Sequence, residues 1–209
     1  MEKLAYNLSL KISKELQLDD EKTSVMAYGL SAFFQMLIIF VCITVVGVVL
    51  NTWMESIIIF WCVGVMRSAT GGHHATKYNT CLLVSICSIV LLSSLARYIP
   101  IKEPQVVYIL AVGVLIFSLI IAYKNVPVSS VNKPINNPNK IKRLRNKTFV
   151  LLVLYCFAAI VLGAFSLYSF AFSFILSSLW QIMMLTRVGE IFIGFLDRLF
   201  KKEVCIDEK

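Results

Sequence analysis

Charge is what this chain has least of. Charged residues make up 15% of its 209 positions and hydrophobic ones 58%, whereas a soluble domain usually carries about a quarter charged. Residues 23–54, 78–96, 104–123 and 148–186 contain none at all. No stretch outside the apolar runs is long enough to bury a core of its own, which excludes a separate soluble domain. With a mean hydropathy of +0.80, this leaves a polytopic membrane protein with one integral domain over 1–209. An apolar h-region is missing from the first 22 residues, so a cleavable signal peptide is not expected. The six cysteines form no CxxC pair and no secreted-type framework, which makes free thiols the expectation. Histidine is limited to His73 and His74, and no acid lies between Glu55 and Glu103. Adjacent histidines rarely point at one ion, so no metal or other cofactor is expected.

The apolar runs set the organisation. Residues 1–22 place Leu4, Leu8, Ile12 and Leu16 at helical spacing among charges, predicting an amphipathic helix at the membrane surface. The first span falls at roughly 26–50. The next apolar run, 56–66, is short: before Arg67 it reaches ~16 Å of a ~30 Å hydrocarbon core. Either that helix extends into polar neighbours or the chain turns inside the bilayer. Two more runs follow, and 148–186 suffices for two spans joined by a turn near 163–169. The expected fold is all-α, with about six membrane segments, the second one short or re-entrant, plus the interfacial helix. Residues 124–147 hold seven basic residues, no acid and three prolines, and read as a basic loop.

Orientation follows from the basic residues. With both termini inside, 1–22, 67–77, 124–147 and 187–209 carry 4, 2, 7 and 5 of them, 18 of the 20 in the chain. The positive-inside rule puts these stretches in the cytoplasm. The net charge of +8 then reflects loops facing anionic lipid, and nucleic acid is not an expected partner.

Chemistry concentrates in RSATGGHHATKYNTC, residues 67–81. A nucleophilic cysteine needs a partner to take its proton, and an imidazole can also protonate a leaving amine. Cys81 lies seven residues after His74, a separation of ~10.5 Å along a straight helix. A working pair therefore requires a bend, for which Gly71 and Gly72 supply backbone freedom. The bland alternative is a cytoplasmic turn with Arg67 as an interface anchor. No acid stands near His74 to orient it; Gln35, Asn79 and Gln181 are the polar candidates, and isolated amides in spans often serve helix packing instead.

Arg67, Gly71, Gly72, His74 and Ala75, with Cys81 seven residues after the histidine, form a pattern that resembles the accessory gene regulator protein B family. These are bacterial membrane endopeptidases that process quorum-sensing propeptides. The chain length, the amphipathic N-terminus, Asn132-Lys133-Pro134 in the basic loop and WQIMMLT around Gln181 are similar as well. The resemblance implies that Cys81 attacks a propeptide bond with His74 as base and then acid, releasing the C-terminal tail. A thiol or hydroxyl of the peptide then attacks the thioester, giving a thiolactone or lactone. Arg67, Gly71, Gly72 and Gln181 would support the site or touch substrate, and His73 would be a bystander. The implied substrate is a propeptide with an amphipathic leader and an acidic tail; membrane lipid is a further partner, and the hydrophobic faces of the spans could also support a homodimer. Lys140, Lys142, Arg143 and Arg145 would either attract the acidic tail or simply reflect positive-inside retention. A small transporter is the competing class, but the long spans carry no charge and no internal repeat is found.

Overall fold

The computed structural model describes residues 2–16, 19–71, 78–101, 103–127 and 137–204. These form eight helices and no strand: α1 (Glu2–Leu16), α2 (Asp20–Val49), α3 (Trp53–Thr70), α4 (Tyr78–Tyr98), α5 (Pro104–Asn125), α6 (Pro138–Ala164), α7 (Tyr168–Met183) and α8 (Arg187–Val204). By length and composition α2, α4, α5 and α6 can each cross a membrane, and α7 with α8 can form a fifth, bent span. The protein is thus an all-α membrane protein. The six expected segments fall on α2–α7, of which α2, α4, α5 and α6 are each long and apolar enough to cross and α7 is so only with α8.

The short second run resolves in favour of extension. α3 is one continuous helix of 18 residues that takes in Glu55 at its start and Arg67 in its last turn, reaching ~27 Å. It can carry these charges because other helices cover it. Glu55 is 2% exposed and pairs with Arg97 of α4 at 3.5 Å. Tyr98 Oη donates to the Leu50 carbonyl at 2.6 Å, tying the end of α4 to the α2–α3 turn.

α1 presents two faces. Ala5, Ser9 and Ser13, one turn apart, are buried, and Ser13 shares a hydrogen bond with Thr23 of α2 at 2.5 Å. Leu8 and Leu16 point outward. Small residues let α1 approach α2 closely, while the leucine side is left for lipid, as an interfacial helix requires.

One expectation needs correction. The basic stretch 124–147 is not a loop throughout, because α6 begins at Pro138. Asn137 caps it, its side chain accepting from the backbone N–H groups of Asn139 (3.0 Å) and Lys140 (3.4 Å). A capping Asn followed by Pro at the first helical position, then Lys and Arg, is a helix start. Weighing the Asn, Pro and Ser content of the whole stretch obscured it. Residues 128–136, with Lys133 and Pro134, lie outside the described residues.

The core runs along α7. Ala171, Phe172 and Ile175 join Val107, Ala111 and Ala159 in one apolar cluster, and Ile182 joins Met66, Ala122 and Leu152 in another. Between them, Leu176 and Trp180 pack on a third cluster of Ile39, Ile43, Ile59, Phe60, Ile89 and Leu92. Buried Ser173, Ser177 and Ser178 keep α7 narrow, which lets its neighbours pack closely. Beyond Met183 the chain bends by 83° into α8. Gly189 permits this, since a Cβ there would stand 2.6 Å from the Met184 backbone.

Gly189→Ala is therefore expected to destabilise the full chain by about 1–3 kcal/mol through overpacking at the bend. Gly194→Ala, where a Cβ meets nothing within 4 Å, should be neutral or slightly stabilising. Thermal unfolding of both variants in detergent distinguishes them.

Candidate active site

Where α3 ends, the backbone turns through Gly71 at φ 71°, ψ −144°. This region is open to glycine and costly for any residue with a Cβ. The Gly71 N–H still closes the helix onto the Arg67 carbonyl at 3.0 Å. Its own carbonyl points away from the helix and needs an outside donor. Gln181, from the last turn of α7 and 3% exposed, supplies one: Nε2 donates to the Gly71 carbonyl at 3.3 Å and to Thr70 Oγ1 at 2.9 Å. Thr70 Oγ1 in turn lies 3.1 Å from both the Met66 and Gly71 carbonyls. A polar backbone group at membrane depth is tolerated only when satisfied in this way.

The same region borders a half-open cavity of about 350 Å³. Three helices each turn one stripe toward it: Ala32, Gln35, Met36 and Ile39 of α2; Phe60, Val63, Gly64, Arg67 and Ser68 of α3; and Cys81, Val84, Ser85, Ser88 and Ile89 of α4. Spacings of three, four and seven are those of a single helix face. Trp180 and Gln181 of α7, Met184 just past its end and Ile193 of α8 add to the wall among the described residues. The Trp180 and Phe192 rings, 6.1 Å apart, hold α8 against α7.

Three residues expected at the site, Arg67, Cys81 and Gln181, meet at this cavity, and Gly71 lies beside it through its bond to Gln181. Gln35 lines it as well. Gly72, His73 and His74, and the Asn79 side chain, lie outside the described residues. The expected His74–Cys81 pairing across a bend is consequently neither measured nor contradicted. Cys81 is half-buried, in the first turn of α4, and its carbonyl accepts from Ser85 Oγ at 2.8 Å.

Lys140, Lys142 and Arg143 project from the first turns of α6 and are exposed. Arg145 differs: its guanidinium stands over the Tyr123 ring at 5.5 Å, so it also packs α6 against α5. Lys147 Nζ reaches Ser68 Oγ of α3 at 3.2 Å, next to Arg67. Lys147 thereby stands beside the cavity wall.

Sequence reasoning missed Thr70, Gly64, Ser85 and Ser88. A helical wheel drawn from Cys81 places Ser85 and Ser88 on its face, and one drawn from Arg67 places Gly64 there. These would have found all but Thr70, which only the contact with α7 reveals.

Gln181→Leu removes the amide that donates to Thr70 Oγ1 and, alongside Thr70, to the Gly71 carbonyl, and is expected to cost about 1–3 kcal/mol, two hydrogen bonds at roughly 0.5–1.5 kcal/mol each. Gly71→Ala is expected to cost a similar ~1–3 kcal/mol through backbone strain. Thermal unfolding of the full chain in detergent measures both; a melting temperature unchanged in either variant contradicts its contact.

The family model of accessory gene regulator B matches residues 5–185. An AgrB-like protein of Clostridium perfringens strain SM101 is 28% identical over 211 residues, covering 97% of this chain and 99% of that relative. AgrB-like protein 2 of Clostridium perfringens strain 13 is 29% identical over 213 residues, with the same coverage of each. No solved structure matches the chain significantly. The match begins in α1, runs through the glycine turn, Cys81 and α6, and ends just past Gln181, taking in every helix around the cavity except α8: this chain belongs to the accessory gene regulator B family of membrane proteins.

Proposed function

We propose that the protein is a membrane-embedded cysteine endopeptidase and cyclase acting on a quorum-sensing propeptide. The observation that carries this reading is the convergence of Cys81, Arg67 and Gln181 on one cavity behind the glycine turn that leads toward His74. Membership of the family supports it.

In this reaction the Cys81 sulfur, its proton taken by His74, attacks the scissile carbonyl carbon. Backbone N–H groups at the start of α4, which the helix leaves without intrahelical acceptors, stabilise the oxyanion. Collapse of the intermediate breaks the C–N bond, and His74 returns the proton to the departing amine of the C-terminal tail. A thiol or hydroxyl of the retained peptide then loses its proton to His74 and attacks the thioester carbonyl. The ring closes as a thiolactone or lactone, and Cys81 leaves as a thiol. Exchange of one thioester for another is nearly balanced in energy, so hydrolysis must be slow. A cavity walled largely by apolar side chains, below the glycine turn, limits water at the intermediate.

The active site faces the cytoplasm of a bacterial cell, following the distribution of basic residues. Lys140, Lys142 and Arg143, on the exposed start of the helix whose Lys147 reaches Ser68, attract the acidic tail of the substrate. The outward leucine side of α1 and the membrane surface accommodate the amphipathic leader.

Cys81→Ala and His74→Ala, each made alone, are expected to lower cleavage of a co-expressed propeptide by on the order of 10³-fold or more with insertion intact. Mass spectrometry of the wild-type protein should find an acyl adduct on Cys81. Full activity in either variant overturns the reading. Lys140→Glu, Lys142→Glu and Arg143→Glu combined should slow cleavage of an acidic-tailed peptide by about tenfold at low ionic strength and less at high salt. Unchanged rates would remove the docking role.

A further inference from the structure

The cavity extends well below Cys81. From Cys81 to Ser88, from Arg67 to Phe60 and from Ala32 to Ile39 are seven residues each, or ~10.5 Å along a helix. Arg67, Ser68, Cys81 and Gln181 are at the upper level, and Ile39, Phe60 and Ile89 form the floor, which is the surface of an apolar core cluster. Its volume of about 350 Å³ lies at the small end of ligand sites, typically ~300–1,000 Å³. That suits one large side chain with its peptide unit and is too small for a helix.

Two polar groups mark the walls. Ser88 is 8% exposed, lines the cavity, and makes no hydrogen bond among the described residues, not even the bond to the carbonyl one turn back that Ser85 and Ser94 make. Gln35 lines it and likewise has no hydrogen-bond partner among the described residues. Unpaired polar groups inside a membrane protein are costly, and a peptide unit offers both a donor and an acceptor to satisfy them. Gly64 adds a third mark, since a Cβ built on it meets nothing within 4 Å. The wall is cut back there.

Resting on the cysteine-peptidase reading, we propose that this cavity is the acyl-side subsite. It takes a large apolar side chain from the substrate residue whose carbonyl Cys81 attacks, and Ser88 and Gln35 pair with that residue's peptide unit. The acyl portion is the one that fits. It must stay bound through both chemical steps, which an apolar floor favours, whereas the released tail must leave for water.

Small acyl donors test this without knowledge of the propeptide. Wild-type protein in nanodiscs is treated with the ethyl thioesters of N-acetyl-phenylalanine, N-acetyl-glycine and N-acetyl-aspartate, and acylation of Cys81 is followed by mass spectrometry. The phenylalanyl donor should react at least about tenfold faster than the other two, the scale of pocket discrimination between a filled and an empty apolar site. Across Gly64→Ala, Gly64→Leu and Gly64→Phe this preference should shrink with side-chain size, while alkylation of Cys81 by iodoacetamide stays constant. Ser88→Ala should slow the phenylalanyl donor several-fold. Equal rates for the three donors, or a preference untouched by Gly64→Phe, would overturn the subsite.

A second measurement needs no catalysis. In a Cys81→Ala background, N-acetyl-phenylalanine amide should protect Ser88→Cys from a small thiol reagent, and N-acetyl-glycine amide should not. Protection without any acyl adduct on wild-type Cys81 would retain the subsite and defeat the enzymatic reading. An adduct without protection or preference would do the reverse.

Discussion

The hydrogen bonds from Gln181 to Thr70 and Gly71 are the constraint on which the rest of the site depends. α3 has to stop for the chain to bend toward His74, and stopping a helix frees carbonyls. In water those carbonyls would be solvated, but beside an apolar cavity they need a protein donor. Gln181 can serve because α7 is buried along its length and ends where α3 ends. The serines and Ala171 of α7 let it pack that deeply. One amide therefore couples the glycine turn to the central helix.

The opposite end of α3 is handled by different physics. Glu55 is a buried acid held by Arg97, with Tyr98 fastened to Leu50 close by. These contacts fix where α3 and α4 begin and finish relative to each other, so the register of Arg67 against Cys81 follows. One end of α3 is thus held by an ion pair and the other ends in a glycine turn bonded to α7. Buried charge is rare among the described residues, and the buried acid Glu55 is paired with Arg97.

Much of this was legible in the chain. The uncharged runs located the helices long and apolar enough to cross a membrane, and the segment holding Cys81 and Arg67 falls at the cavity wall. Gln181 stood out as an amide in an apolar segment, though packing alone would have explained it. The short run 56–66 was ambiguous, because its helix is completed by Glu55 and Arg67, residues that hydropathy counts against a span. Pro138 and Asn137 announced a helix start, but the prolines and asparagines before them masked it.

Composition and periodicity determined that the chain is a helical membrane protein and which termini and loops carry its positive charge. Those properties depend on single segments, so one segment at a time reveals them. The cavity, the partner of the Gly71 carbonyl, the neighbours of Arg145 and the alignment of Gln35, Gly64 and Ser88 depend on which helix faces which. Only the tertiary structure decided these, because a helix in lipid presents apolar residues all round, and its rotation is set by the close packing of small residues against neighbours that lie far away in the chain.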